Sequence, residues 1–292
     1  MPLAWLPMGV LYIIASLLAP VLYHIVRYRR KVTDTNLRHS FPNLDDSQRQ
    51  KIAKNYYRHL ADLLAEALFG LRATPPEIRN HYQIINRELI DHYYEQGQSV
   101  ILVSSHYNNW EFMVVGLNMF FRHHGIGVGK PLDNKGFGVW LTRKRTRYGT
   151  EVVDQTNIRE TMAFYDQHHV PCVYMMLADQ SPSNTYKCFW TTFLNQETCF
   201  LYGPEYFARK YNYPVLYYEV KKIKRGHYQL SISELCGKPN EVPQYTITQK
   251  YISRLYRLLQ ADPAYWLWSH KRWKRTRPDG VPTHTPIDSS IQ

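Results

Sequence analysis

Two uninterrupted apolar runs, at residues 100–103 and 170–177, constrain this chain more than any other feature. Each is too short for a membrane-spanning helix and each ends abruptly in polar residues, which reads as a buried β-strand running into a turn. The first stops at Ser104-Ser105-His106. After Tyr107 and two asparagines the chain resumes as Trp110-Glu111-Phe112-Met113-Val114-Val115, a pattern that suits the start of a buried helix. The second ends in Ala178-Asp179-Gln180-Ser181-Pro182 and repeats the logic of a buried strand delivering polar groups at its carboxyl end. In α/β sheets ligands bind outside the carboxyl ends of strands, so His106 and its neighbours are the expected place for a catalytic group.

The spacing of His106 and Glu111 has its own geometry. In one continuous helix, positions five apart point about 140° apart. The two side chains meet only if His106 lies in the turn and Glu111 in the first helical turn, which the strand–turn–helix reading supplies. A surface histidine followed by a glutamate that favours the helix amino terminus explains the same spacing.

Residues 1–26 contain no Lys, Arg, Asp or Glu. A helix from Leu3 to Val26 would extend about 36 Å, enough for a hydrocarbon core of about 30 Å. Trp5, Tyr23 and Tyr28 suit interfacial anchoring, and a basic n-region and a small-x-small cleavage site are both missing. Pro20 is expected to kink this helix, so a spanning and a merely inserted segment are both open. Residues 27–31, Arg-Tyr-Arg-Arg-Lys, then place residues 27–280 on the cytoplasmic face by the positive-inside rule.

Beyond this anchor, Asp45 or Asp46 is expected to cap a helix reaching Gly70, and Thr74-Pro75-Pro76 to end that unit. Helices are expected over 88–96, 114–122, 133–148, 159–168, 203–211 and 247–260, with strands near 125–131, 151–153, 214–222 and 227–233. Residues 281–292, rich in Pro, Thr and Ser, read as a frayed tail. The fold class is therefore α/β, a mixed and mainly parallel sheet flanked by helices, with an N-terminal membrane helix.

The net charge of +12 is concentrated at 27–31, 143–147, 221–225 and 271–277, which implies an acidic partner: nucleic acid, anionic lipid or an acidic protein. The four cysteines show no CxxC spacing and read as reduced thiols, and the His pairs at 123–124 and 168–169 lack companion ligands, so no metal is expected. There is no GxGxxG, P-loop or GxSxG motif, which removes the main support for nucleotide-binding and serine-hydrolase readings.

Taken in order, these stretches resemble the late acyltransferases of lipid A biosynthesis, a branch of the lysophospholipid acyltransferase-like superfamily. The resemblance covers nearly the whole chain. It includes the apolar N-terminal segment, VSSHYNNWE with His106 and Glu111, the RxRxG run at Arg145, Arg147 and Gly149, and ADQSP with Asp179 and Gln180. It continues through Gly203-Pro204 to WLWSHKRWK with Trp268, His270, Arg272 and Trp273. Phe193-Leu194-Asn195 departs from the family's usual FFG, near expected acceptor or acyl contacts.

The resemblance implies a glycerol-phosphate acyltransferase-like fold and transfer of a fatty acyl chain from an acyl carrier protein, or coenzyme A, to a hydroxyl of a lipid A precursor. His106 would be the general base and Glu111 its partner in an HX4E motif, with Arg145, Arg147, Asp179, Gln180, Asn109 and Trp110 binding substrate. No cofactor or metal is implied. The implied partners are an acidic carrier protein, a phosphorylated glycolipid and an anionic membrane surface. A monomer is expected at the cytoplasmic face of a bacterial inner membrane. An acyltransferase for another polar lipid (a glycerophospholipid, amino-acid lipid or inositol mannoside) is the nearest alternative. A membrane-anchored nucleic-acid-binding protein is the non-enzymatic one, although no nucleic-acid-binding motif is present.

Overall fold

In the computed structural model, which describes residues 2–129 and 135–285, both apolar runs are strands and lie side by side. The chain enters through a 3-10 turn into an apolar helix, α1 (Met8–Pro20), continued by a π-helical stretch at Val21–Ile25. Next come α2 (Arg30–Ser40), α3 (Asp46–Gly70), α4 (Pro75–His81), β1 (Tyr82–Ile84) and α5 (Glu88–Glu95). The α/β alternation follows as β2 (Val100–Ser104), α6 (Trp110–Phe120), β3 (His124–Gly129), α7 (Lys135–Arg145), β4 (Glu151–Asp154), α8 (Ile158–Gln167) and β5 (Cys172–Leu177). A two-stranded excursion, β6 (Cys188–Phe193) and β7 (Gln196–Leu201), precedes α9 (Gly203–Tyr211), β8 (Val215–Lys224), β9 (His227–Cys236) and α10 (Thr246–Ala261).

Seven strands form one sheet in the order β1-β9-β8-β2-β5-β3-β4. Every neighbouring pair is parallel except β8–β9, so the sheet is mixed and mainly parallel, as the sequence predicts. All five residues of β2 are buried, and their alternation feeds two cores. Ile101 and Val103 face the layer of α9 and α10, with Leu255 and Trp268, while Val100 and Leu102 face the layer of α5 and α6, with Ile90 and Leu117. Strands covered on both faces are apolar at successive positions, which is why these runs read so clearly.

The sequence places the cap of α3 well. Asp45 accepts from the backbone N–H of Gln48, whose side chain accepts from the Asp45 N–H, a complete capping box. Expectation and structure part at the hairpin β6–β7. Its two-residue turn holds Leu194 and Asn195 at φ of 50° and 62°, without the glycine that would announce it. Leu194 is buried and Asn195 donates to the Ser40 carbonyl, so the departure from FFG falls on a turn packed against α2. Residues 281–285 of the expected tail meet this hairpin, where His284 N–H donates to the Trp190 carbonyl; residues 286–292 lie outside the described part. Residues 133 and 134, expected to open the arginine-rich helix, also lie outside it.

The apolar N-terminal segment is two-faced. Met8–Ile25 is long and apolar enough to cross a membrane. Yet Leu11, Ala15 and Ala19 form a buried stripe packed with Ala61, Ala65 and Phe69 of α3, while Ile13, Ile14 and Leu17 are exposed. Pro20 cannot donate to the Ser16 carbonyl, and the bonding widens beyond it, with Val26 N–H donating to the Val21 carbonyl five residues back.

The β8–β9 turn closes over this helix. Gly226 has φ of +75°, and a Cβ there would run into the hydroxyl of Tyr12. Gly226→Ala is therefore expected to destabilise the fold by about 1–2 kcal/mol, read as a lowered thermal midpoint in detergent.

Candidate active site

The register of the two central strands builds the site. Ser104, the last residue of β2, lies opposite Leu177, the last of β5. Two residues beyond each end stand His106 and Asp179, and the ring Nδ1 of His106 lies 2.7 Å from Asp179 Oδ1. A carboxylate only accepts, so the proton sits on Nδ1 and the lone pair is left on Nε2. Gln180 offers its side-chain amide to that nitrogen at 3.2 Å. Trp110 meets the ring edge-to-face at 5.0 Å between centroids.

Asp179 is buried, and its second oxygen accepts from the indole N–H of Trp266 at 2.8 Å. Burial alone would raise its pKa. The positive field of His106, with the hydrogen bonds from His106 and Trp266, outweighs this and holds the carboxyl below the ordinary aspartate range. A charged carboxylate behind a histidine fixes the ring tautomer and steadies the imidazolium formed when Nε2 takes a proton.

The expected contact between His106 and Glu111 is replaced by another. The chain turns at Asn108, in the left-handed region at φ of 52°, and α6 starts only at Trp110. That turn points the ring at the end of β5 and the glutamate at α7. Both Glu111 oxygens receive Arg145, with Nε 3.0 Å from Oε2 and Nη2 on Oε1. Glu111 and Arg145 are both about three-quarters buried and form a bidentate pair beside the histidine.

The remaining predicted binders divide by where they point. Gln180 and Trp110 stay at the ring. Asn109 is buried, capping α6 through its Oδ1 and turning its amide to Glu66. Arg147 is spent on the carbonyls that close α3 and its following turn, those of Gly70 and Ala73, at 2.6 and 2.9 Å. A cation at a helix carboxyl end is favourable there, and it keeps Arg147 with the fold.

The WLWSHKRWK stretch packs into the body of the protein. Trp268 and Arg272 are fully buried, with the Arg272 guanidinium 4.2 Å from the Phe200 ring centre and donating to Thr198. His270 accepts the Ser181 N–H, and burial pushes it down to about 4, leaving it neutral behind the Asp179 loop. Trp266 is the residue whose part sequence reasoning missed. The pairing of Tyr107 with Trp266 lays this segment along the histidine loop, a contact between distant stretches that carries no local signal.

Several cations of the basic runs are engaged internally: Arg29 with Ser269, Lys222 and Arg225 with Asp62, and Arg277 with Glu197. Lys31, Lys221, Lys224, Lys271 and Lys274 are exposed. Among the described residues no cluster of His, Cys, Asp and Glu is arranged to hold a metal ion.

A histidine at the end of a buried strand, backed by a buried carboxylate, is an arrangement able to accept a proton from a hydroxyl. Comparison with known proteins gives this a family. The model for bacterial lipid A biosynthesis acyltransferases matches residues 1–275, and the chain belongs to that family. It is similar to the lipid A biosynthesis lauroyltransferase of Escherichia coli K12, 23% identical over 96% of this chain and 94% of that protein. It is also similar to a lipid A biosynthesis acyltransferase of Haemophilus influenzae, 24% identical over 95% of this chain and 91% of that protein. The protein is an acyltransferase.

The Glu111–Arg145 pair is partly screened by solvent. A double-mutant cycle with Glu111→Gln and Arg145→Met is expected to give a stabilising coupling of about 0.5–1 kcal/mol in thermal unfolding, falling with added salt.

Proposed function

We propose that this protein moves a fatty acyl chain from an acyl thioester, carried by an acidic acyl carrier protein, to a hydroxyl of a lipid A precursor at the cytoplasmic face of the bacterial inner membrane. The observation that carries the mechanism is the buried Asp179 carboxylate on Nδ1 of His106, which leaves Nε2 as the base. The acceptor oxygen attacks the thioester carbonyl as its proton passes to Nε2. The tetrahedral intermediate then expels the thiolate, which takes that proton from the imidazolium and leaves as the thiol. Asp179 thus holds the place behind the ring expected for Glu111. Glu111, paired with Arg145, shapes the wall through which a phosphate or oxyanion would approach.

Gln180 has a role that follows from position. Its amide lies 3.2 Å from Nε2, so an acceptor hydroxyl must displace it before the proton can move. The apolar stripe of Ile13, Ile14 and Leu17 supports insertion of α1 alongside the lipid. Because the opposite stripe is packed on α3, this reading has the segment lying in the inner leaflet rather than crossing alone. The exposed lysines at 221, 224, 271 and 274 offer an acidic carrier its docking charge.

His106→Ala is expected to lower kcat by roughly 10²–10⁴-fold, and Asp179→Asn by roughly 10²-fold, with KM for the donor little changed. Mass spectrometry of membrane lipids should show one acyl chain lost from lipid A in both variants. A wild-type lipid profile in either folded variant refutes the pair; loss from a glycerophospholipid instead redirects the acceptor. Separately, turnover with the carrier-protein donor should fall steeply when salt rises from about 0.05 to 0.5 M, as the Debye length shrinks from roughly 14 to 4 Å. A flat salt response would remove the electrostatic docking.

A further inference from the structure

Glu66 is a carboxylate the acyl transfer does not use, and it is fully buried. Three donors from separate parts of the chain converge on it. Tyr12 of α1 donates to Oε1 at 2.8 Å. Tyr228 of β9 reaches both oxygens, at 2.9 and 2.8 Å. The Asn109 amide donates to Oε2 at 2.6 Å. An apolar side chain of similar size would avoid the cost of burying a carboxylate. What the carboxylate supplies instead is direction, because each donor must aim at it.

Asn109 is where that direction matters. Its Oδ1 accepts the N–H of Phe112 and caps α6, while its Nδ2 is held by Glu66. Rotating the amide by half a turn would break both bonds, so Glu66 selects one orientation. Asn109 stands between His106 and Glu111, next to Trp110, whose ring edges His106. The neighbouring Asn108 is fixed to the sheet and to the Trp266 segment by backbone partners, Val220 and Tyr265. The Asn109 link, by contrast, continues through Glu66 to the apolar helix.

We propose that Glu66 is a positioning residue for acyl transfer: through Asn109 it sets the loop bearing His106, and through Tyr12 it makes that setting depend on how α1 is seated. Membrane insertion and the catalytic loop then share one buried carboxylate. The role rests on His106 acting as the base.

The test turns the amide into an acid. Asn109→Asp still caps α6 but faces Glu66 with a second carboxyl, which is tolerated only while the two share a proton. The surrounding titratable and charged groups are Tyr12 on α1, Tyr228 on β9, and Asp62 one turn away on α3 with Lys222 and Arg225. Glu66 itself is pushed up to about 7 by burial against the pull of its three donors, so the shared proton should leave near or above neutrality. In full-length protein reconstituted in phospholipid vesicles, kcat of Asn109→Asp should match wild type within about threefold at pH 6 and fall at least tenfold below it by pH 9. Glu66→Gln/Asn109→Asp restores a donor facing an acceptor, and should recover wild-type kcat within about threefold across that range. Tyr12→Phe should lower kcat three- to tenfold with donor KM unchanged. An Asn109→Asp profile parallel to wild type, or no recovery in the double variant, overturns the role of Glu66; unchanged kcat in Tyr12→Phe overturns the link to α1. Wild-type turnover in His106→Ala would instead overturn the assignment of the base, so the two failures are told apart.

Discussion

Everything at this site depends on two neighbouring parallel strands ending level. Because Ser104 pairs with Leu177, the residues two further on reach the same height above the sheet, and an imidazole and a carboxylate meet there at 2.7 Å. A slip of one residue would send one of them to the opposite face of the sheet. The pairing is protected by burial, since both strands are covered on both faces and their apolar side chains feed two separate cores. Packing energy distributed over many residues therefore fixes the geometry of one hydrogen bond. No loop has to be rigid on its own account.

Around that bond the protein spends its polar groups on orientation. Trp266 holds the second oxygen of Asp179, His270 holds the backbone of the following loop, and the two asparagines after His106 hold the turn from below. All four of these hydrogen bonds join residues far apart in sequence. The same logic governs Glu111 and Arg145, whose two-pronged contact joins the first turn of α6 to the last turn of α7.

Much of this was legible in the sequence. The two apolar runs, the histidine turn, the cap at Asp45 and the α/β alternation all carry local signals, and the structure agrees with them. The partner of the histidine was not legible in the same way. Glu111 is five residues away and catches the eye, whereas Asp179 is 73 residues away and becomes a partner only once β2 is known to neighbour β5. Strand order is a global property, and β3 and β4 could as well have intervened. The hairpin β6–β7 was missed because a buried leucine occupies a turn position that usually calls for glycine or asparagine. The basic runs read as surface, but Arg272 lies in the core and Arg147 closes a helix, because a long side chain can carry its charge well away from where its backbone suggests.

The two-faced N-terminal helix has a practical consequence. Were residues 1–26 only a tether, trimming them would leave the body of the enzyme intact. Here their inner stripe forms one wall of a core, over Ala61, Ala65 and Phe69. Trimming would bare that wall to water and strip a buried carboxylate of one of its donors. The greasy segment is a folding partner of the body, even though Ile13, Ile14 and Leu17 stay exposed on its outer side.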